Sequence, residues 1–317
     1  MYQKTIKKSI SCSGVGVHSG ASMSITLHPA PANSGILFKR TDGVIGDRLI
    51  PARWDHVVST NMCTTIGNKD GVTIATIEHL MAAFYALGVD NVLVEVEGPE
   101  IPIMDGSAAP FIFLIECVGL EVQNALRAYI KIQDTIEFNG TDGQYIRLTP
   151  APRLSLEVMI DFNGRGNLAP QTYGIDNLEF QFKSEIARSR TYGFYEDAQK
   201  LWAAGMSQGA SLDNTVVFDK GEVMNKEGMR YNNECVRHKV LDAVGDLYLA
   251  GYPIQGHYQA KNCGHFLNNA ILKKLFQEKN RWELITYPAQ STHKATEGAF
   301  EEVPVVSIPL PPKAALA

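Results

Sequence analysis

Between Glu234 and Ala250 the apolar residues Val236, Val240, Leu241, Val244, Leu247 and Leu249 recur at three- and four-residue intervals, which predicts a helix pressed against a core. Thr76 to Leu87 predicts a second helix, with Thr76 as its N-cap and Gly88 as its stop. Pro110 to Val118 and Asn268 to Glu278 read as two more. Alternation of apolar and polar positions predicts strands at Met23–Leu27, Gly35–Lys39, Asn91–Val96, Ala128–Ile136, Tyr145–Leu148, Leu154–Phe162, Tyr252–Ala260 and Trp282–Tyr287. Asp105-Gly106 reads as a turn, with Ser107 capping the helix that follows.

The pattern repeats. Leu27-His-Pro-Ala-Pro31 and Leu148-Thr-Pro-Ala-Pro152 each stand between two strands, and each is followed at a distance by a helix carrying a histidine near its start, His79 and His238. From Pro29 to His79 is 50 residues and from Pro150 to His238 is 88, so the second half has gained a net 38. The aromatic-rich stretch 165–214 is the expected site of that gain, and an insert of such length and composition has a function. The expected fold class is α+β: two similar α/β sandwich domains related by an internal repeat, 1–127 and 128–300, with the larger insert in the second. The proline-rich stretch 301–317 is expected to be extended or mobile and is a candidate handle for a regulatory protease.

Composition narrows the function classes. Hydrophobic residues at 45% and charged residues at 20% are those of a globular protein. A net charge of -5 and a pI near 5.9 argue against nucleic-acid binding. The five cysteines are scattered and lack a Cys-x-x-Cys pair, which argues against a disulfide framework or a cysteine-ligated zinc. With neither a signal-peptide run nor any stretch near the ~20 apolar residues that span a bilayer, a cytoplasmic location without integral membrane contact is expected.

On the 234–250 helix His238, Asp242 and Asp246 are four apart and share one face. An imidazole and a carboxylate so spaced are two of the three ligands of an open zinc site, and His79 is the candidate third. Adjacent helical residues diverge by roughly 100°, so Glu78 points past His79 toward the open side, where a general base acting on activated water belongs. His265, after a strand and a glycine, is the candidate proton donor, with Asp246 holding its ring. Two imidazoles and a carboxylate suit Zn2+ or Fe2+. A metal-free reading, in which these residues form an ordinary polar stripe, stays open on spacing alone. The 101–110 stretch offers no nucleophile with a base beside it, which argues against a serine hydrolase.

Five stretches carry a resemblance: Thr76-Ile-Glu-His-Leu-Met-Ala-Ala, Val96 to Pro110 (Val-Glu-Gly-Pro-Glu-Ile-Pro-Ile-Met-Asp-Gly-Ser-Ala-Ala-Pro), Arg190-Thr-Tyr-Gly-Phe, Arg237-His-Lys-Val-Leu-Asp-Ala-Val-Gly-Asp and Gly264-His265. In order and length they resemble the motifs of the UDP-3-O-acyl-N-acetylglucosamine deacetylases, zinc amidases of lipid A synthesis in Gram-negative bacteria. The resemblance implies zinc on His79, His238 and Asp242, Glu78 as base, and His265 as acid and electrostatic stabiliser supported by Asp246. It implies Thr191 at the oxyanion, Lys239 at a nucleotide phosphate, Tyr192 on the sugar, and Asp161 and Phe162 at uridine. It further implies that the insert forms an apolar passage for the acyl chain, lined by Tyr195, Ala198, Leu201, Ala210 and Val216. One departure stands out: Asn262 occupies a position that is often basic in relatives, with Lys261 one residue earlier. The expected function is hydrolysis of the N-acetyl group of a UDP-linked acylated glucosamine by a monomer. The rivals are a metal-dependent amidase on another sugar nucleotide and a metal-free sugar-nucleotide or lipid binding protein.

Overall fold

The computed structural model describes residues 1–287 and the pair Val306–Ser307. Six α-helices are present among them: α1 (Glu78–Leu87), α2 (Ala109–Val118), α3 (Leu178–Gln181), α4 (Tyr195–Ala203), α5 (Glu234–Tyr248) and α6 (His265–Gln277). The helices alternate with several separate sheets, an α+β fold.

Two five-stranded sheets dominate. The first runs Ile10–Val15, Ser22–Pro29, Val92–Glu97, Ile36–Arg40, Leu49–Pro51, and the second runs Ile136–Asn139, Tyr145–Thr149, His257–Lys261, Ser155–Ile160, Gln171–Ile175. Read across in that order, each has two antiparallel pairings, then one parallel, then one antiparallel. The parallel pair in each sheet requires a crossover, and the chain supplies one each time with a helix-bearing segment, α1 in the first sheet and α5 in the second.

Helices α1 and α5 pack on one another at the middle of a continuous core. α1 is apolar on nearly every side, so it is buried from Glu78 to Tyr85 and ends at Gly88, whose φ of 69° is open to glycine at little cost. The crossing is close because Gly245 has no side chain: a Cβ there would lie 2.0 Å from the Glu78 carbonyl oxygen. Tyr85 and Tyr248 meet edge to face at the other end, 5.4 Å between ring centroids.

The structure departs from the sequence expectations in definite places. Thr76 is not an N-cap: it lies at φ 58°, with Ile77 between it and the helix, and its hydroxyl is turned to Glu100. The expected strand Tyr252–Ala260 is two, Ile254–Gln255 in one sheet and His257–Lys261 in another, and the crossing point is Gly256, where a Cβ would press on Ile132 at 2.7 Å. Ala128–Ile136 likewise divides into Ala128–Ile132 and Ile136–Asn139, between which the N–H groups of Gln133 and Asp134 donate to the Arg281 carbonyl. Helix α6 begins at His265, three residues ahead of expectation. Of the proline-rich end, only Val306–Ser307 is described, as a strand antiparallel to Trp282–Thr286; the rest lies outside the described residues.

Gly245→Ala should force α1 and α5 apart and lower stability by roughly 1–3 kcal/mol, as overpacking does. Urea denaturation of the two proteins measures this. An unchanged midpoint would mean that the crossing relaxes freely.

Candidate active site

The start of α1, the buried face of α5 and the first residue of α6 converge. Potential ligand atoms of His79, His238 and Asp242 all lie within 4.8 Å of one another, and all three residues are buried. Asp242 Oδ1 is 3.3 Å from His238 Nε2 and 3.6 Å from His79 Nε2, and the two rings stand edge to face at 4.9 Å. His238 Nδ1 lies 3.0 Å from the Ser189 carbonyl, an acceptor only, so Nδ1 carries the proton and the Nε2 lone pair faces the Asp242 oxygen. Burial pushes the His238 imidazole down to about 4, against the pull of Asp242, which keeps the ring neutral near pH 7.

Two acceptors therefore oppose each other in a buried space, and Asp242 Oδ1 has no hydrogen-bond partner. This arrangement fits a divalent cation between them and is costly without one. Burial opposes charge on Asp242, yet His238 and Lys239 outweigh it and hold the carboxyl well below the usual range. Lys239 donates to the other oxygen, Oδ2, at 2.8 Å, which leaves Oδ1 free toward the two imidazoles.

On one side of this group stands Glu78, fixed by the Thr64 N–H at 3.1 Å; burial pushes its carboxyl up to about 7. Across from it, His265 Nε2 is 4.0 Å from Glu78 Oε1, while His265 Nδ1 is 2.9 Å from Asp246 Oδ2. Burial disfavours the charged ring, but Asp246 and Glu78 outweigh it and raise His265 to about 10. Asp246 is held by the Thr64 hydroxyl at 2.5 Å and by the Asn268 amide at 2.8 Å, and Asn268 accepts from the Tyr258 hydroxyl at 2.7 Å. Thr64, Ser189 and Asn268 are the residues that sequence reasoning missed. Asn268 stands one helical turn after His265, and that spacing was the available signal.

The stretch 189–194 is tied down separately. Arg190, 1% exposed, donates to Glu234 at the start of α5 through Nε at 2.9 Å and through its backbone N–H at 2.9 Å. Thr191 N–H donates to the Gly106 carbonyl, and Gly106 has no room for a side chain, since a Cβ would lie 1.8 Å from the Asn214 carbonyl oxygen. The 101–110 motif thus holds the insert in register. Tyr192 meets His238 at 6.4 Å and Phe162 at 5.8 Å between centroids, and the Lys239 ammonium lies 5.7 Å from its ring. Asp161 adjoins them, its N–H bonded to Asn262 Oδ1 at 2.7 Å. Asn262 sits at φ 50°, a conformation asparagine tolerates better than lysine or arginine, so its backbone as well as its side chain suits the residue.

A cavity of about 580 Å³ opens from Glu78, His79 and Thr191 into the insert. Tyr195, Ala198, Leu201 and Ala210 line it as expected. Val216 does not: it is fully buried in the core, and its neighbour Val217 faces the cavity, because alternate residues of the strand Val216–Asp219 point to opposite sides.

Fold and site define a class: an α+β protein with a buried group of two imidazoles and a carboxylate that can hold a metal ion, beside a buried acid and open to a mostly apolar cavity. Comparison with known proteins makes the class specific. The family model described as UDP-3-O-acyl N-acetylglycosamine deacetylase (LpxC) matches residues 3–277. The chain is 43% identical over 288 residues to the UDP-3-O-acyl-N-acetylglucosamine deacetylase of Shewanella woodyi, covering 90% of this chain and 94% of the relative. It is 43% identical over 291 residues to that of Acidithiobacillus ferrooxidans, covering 90% and 93%, and 41% identical over the whole length of both chains to that of Shewanella loihica. The chain belongs to the LpxC deacetylase family, and with it to the hydrolases.

In the metal-free protein, His265 should titrate near 10 and Asp246→Asn should bring it back toward the ordinary value of ~6.5, as followed by NMR of the ring nitrogens. Because the folded-state value is raised, the stability this ring contributes is complete below ~6.5 and is lost as pH climbs through about 10. A wild-type ring titrating at its ordinary value would refute this.

Proposed function

We propose that this chain removes the N-acetyl group of UDP-3-O-(3-hydroxyacyl)-N-acetylglucosamine, releasing acetate and the free amine, with zinc or ferrous iron on His79, His238 and Asp242. This would be the committed step of lipid A synthesis, carried out by a monomer in the cytoplasm; no helix among the described residues is long and apolar enough to cross a membrane. The single observation that carries the reading is the meeting of the three ligand atoms within 4.8 Å beside Glu78.

When bound, the ion supplies Lewis acidity, polarising the acetamide carbonyl and acidifying water. The remaining steps belong to side chains. Glu78 takes a proton from water as the water oxygen bonds to the carbonyl carbon, and its carboxyl, raised to about 7, is matched to accepting and returning that proton. Thr191, at the cavity wall beside Glu78, donates toward the oxygen that gains charge. His265, kept charged by Asp246, stabilises that charge and donates to the nitrogen as the C–N bond breaks. Tyr192 packs on the sugar, Lys239 meets a nucleotide phosphate, and Asp161 with Phe162 forms the uridine end. The cavity takes the acyl chain. The division into domains 1–127 and 128–300, related by a repeat, is supported by the common strand order and pairing sense of the two main sheets.

Glu78→Gln should retain one equivalent of metal and lose roughly 10²–10⁴-fold in acetate release, the range for a lost acid or base group. Normal turnover by the metal-replete variant would remove Glu78 from this role. Added zinc should raise the stability of chelator-stripped protein by about 2.7 kcal/mol at a hundred times its Kd, and His79→Ala should abolish most of that gain. Thermal unfolding with and without zinc is the measurement, and an unaffected midpoint would leave only the metal-free alternative.

A further inference from the structure

Glu100 lies outside the groups that react, yet its buried carboxylate gathers four donors. It accepts from the backbone N–H of His18 at 3.1 Å and of Ser19 at 2.9 Å, from the Ser19 hydroxyl at 2.6 Å and from the Thr76 hydroxyl at 3.4 Å. These donors bracket the cavity, since His18 and Thr76 both line it. Space for the carboxylate exists only because residue 16 is glycine: a Cβ there would lie 2.1 Å from Glu100 Oε1.

The outer side of the same loop is held as firmly. Gln208 N–H donates to the His18 carbonyl and Gly209 N–H to the Val17 carbonyl, each at 3.0 Å, and a Cβ on Gly209 would lie 2.2 Å from the Gly16 oxygen. The loop 16–21, which joins the strands Ile10–Val15 and Ser22–Pro29, is therefore clasped between Glu100 and the insert. The oxygen that accepts the His18 N–H, Oε2, also accepts from Thr76, two residues before Glu78, at a backbone φ of 58°. One side chain thus ties a wall of the cavity to the approach of the helix that carries Glu78.

We propose that Glu100 is a positioning residue that fixes the loop 16–21 wall of the cavity relative to Glu78, and through that wall sets which acyl chain lengths are turned over. The inference rests on the reading of this cavity as the acyl passage. Charge is central to it, because a carboxylate accepts from all four donors, two on each oxygen, whereas an amide of the same size turns an NH2 toward two of them, one a backbone N–H that cannot accept.

The experiment compares wild type, Glu100→Gln and Ser19→Ala, which removes the 2.6 Å bond to Glu100 together with the 3.2 Å bond that Ser19 Oγ accepts from the Ala21 N–H, as metal-loaded proteins. Three quantities are read: metal content, amide exchange at residues 17–20, and kcat/KM for UDP-acyl-N-acetylglucosamines whose chains differ by two carbons. Glu100→Gln should keep wild-type metal, exchange its His18 and Ser19 amides about tenfold faster, and shift the kcat/KM ratio between neighbouring chain lengths about threefold or more. Ser19→Ala should shift the ratio in the same direction by less, and it carries the comparison if Glu100→Gln does not fold. A wild-type ratio in the folded variants overturns the proposal, as does a loss equal for every chain length. If wild type releases no acetate from any of these substrates, the deacetylase reading falls, while amide exchange still reports the hold of Glu100 on the loop.

Discussion

An unscreened oxygen of Asp242, facing two imidazole nitrogens in a buried space, is the constraint on which the rest depends. Left alone, such a cluster of buried acceptors repels itself. The surrounding chain holds it in place nonetheless: the Ser189 carbonyl fixes one ring, Lys239 satisfies the second carboxylate oxygen, and the absence of a side chain at Gly245 brings the two helices near enough. The Ser189 carbonyl and the close helix crossing at Gly245 are both features of the backbone, and they hold His238 and the two helices in this arrangement.

The same low-dielectric setting separates the neighbouring titrations. Glu78 and His265 are only 4.0 Å apart, yet the carboxyl is raised by burial and the imidazole by Asp246, so a proton acceptor and a proton donor coexist near neutral pH. The chain Tyr258, Asn268, Asp246, His265 carries this polarity inward to a hydroxyl buried in the second half's core. Arg190 and Glu234 act differently. Their buried ion pair contributes little net stability by the general rule, but it fastens the insert to the start of α5 and so fixes where Thr191 and Tyr192 stand.

Much of this was legible in the chain. The four-residue spacing of His238, Asp242 and Asp246 on an apolar-periodic helix gave their common face, and His79 became a partner because the two halves share a pattern. The strand pairings of the two main sheets follow that pattern too. What was not legible depends on contacts between distant positions: Thr64 meets Asp246 across 182 residues, and no local periodicity reports such a bond. Alternation persists on both sides of Gly256, so the pattern predicts one strand there, although the chain leaves one sheet for another at that residue. Thr76 had the composition of a cap, but tertiary demand from Glu100 overrode it. Two adjacent valines carry no phase, so the pattern does not say which of Val216 and Val217 faces the cavity.

The long chain separation between His79 and His238 bears on how the protein is made. A nascent chain emerging from the ribosome completes α1 well before α5 exists, so for most of its synthesis it holds one imidazole of the trio and no aspartate opposite it. Any ion held by all three side chains would therefore have to wait until the second half has been translated and has docked, because a single imidazole offers one ligand of the three.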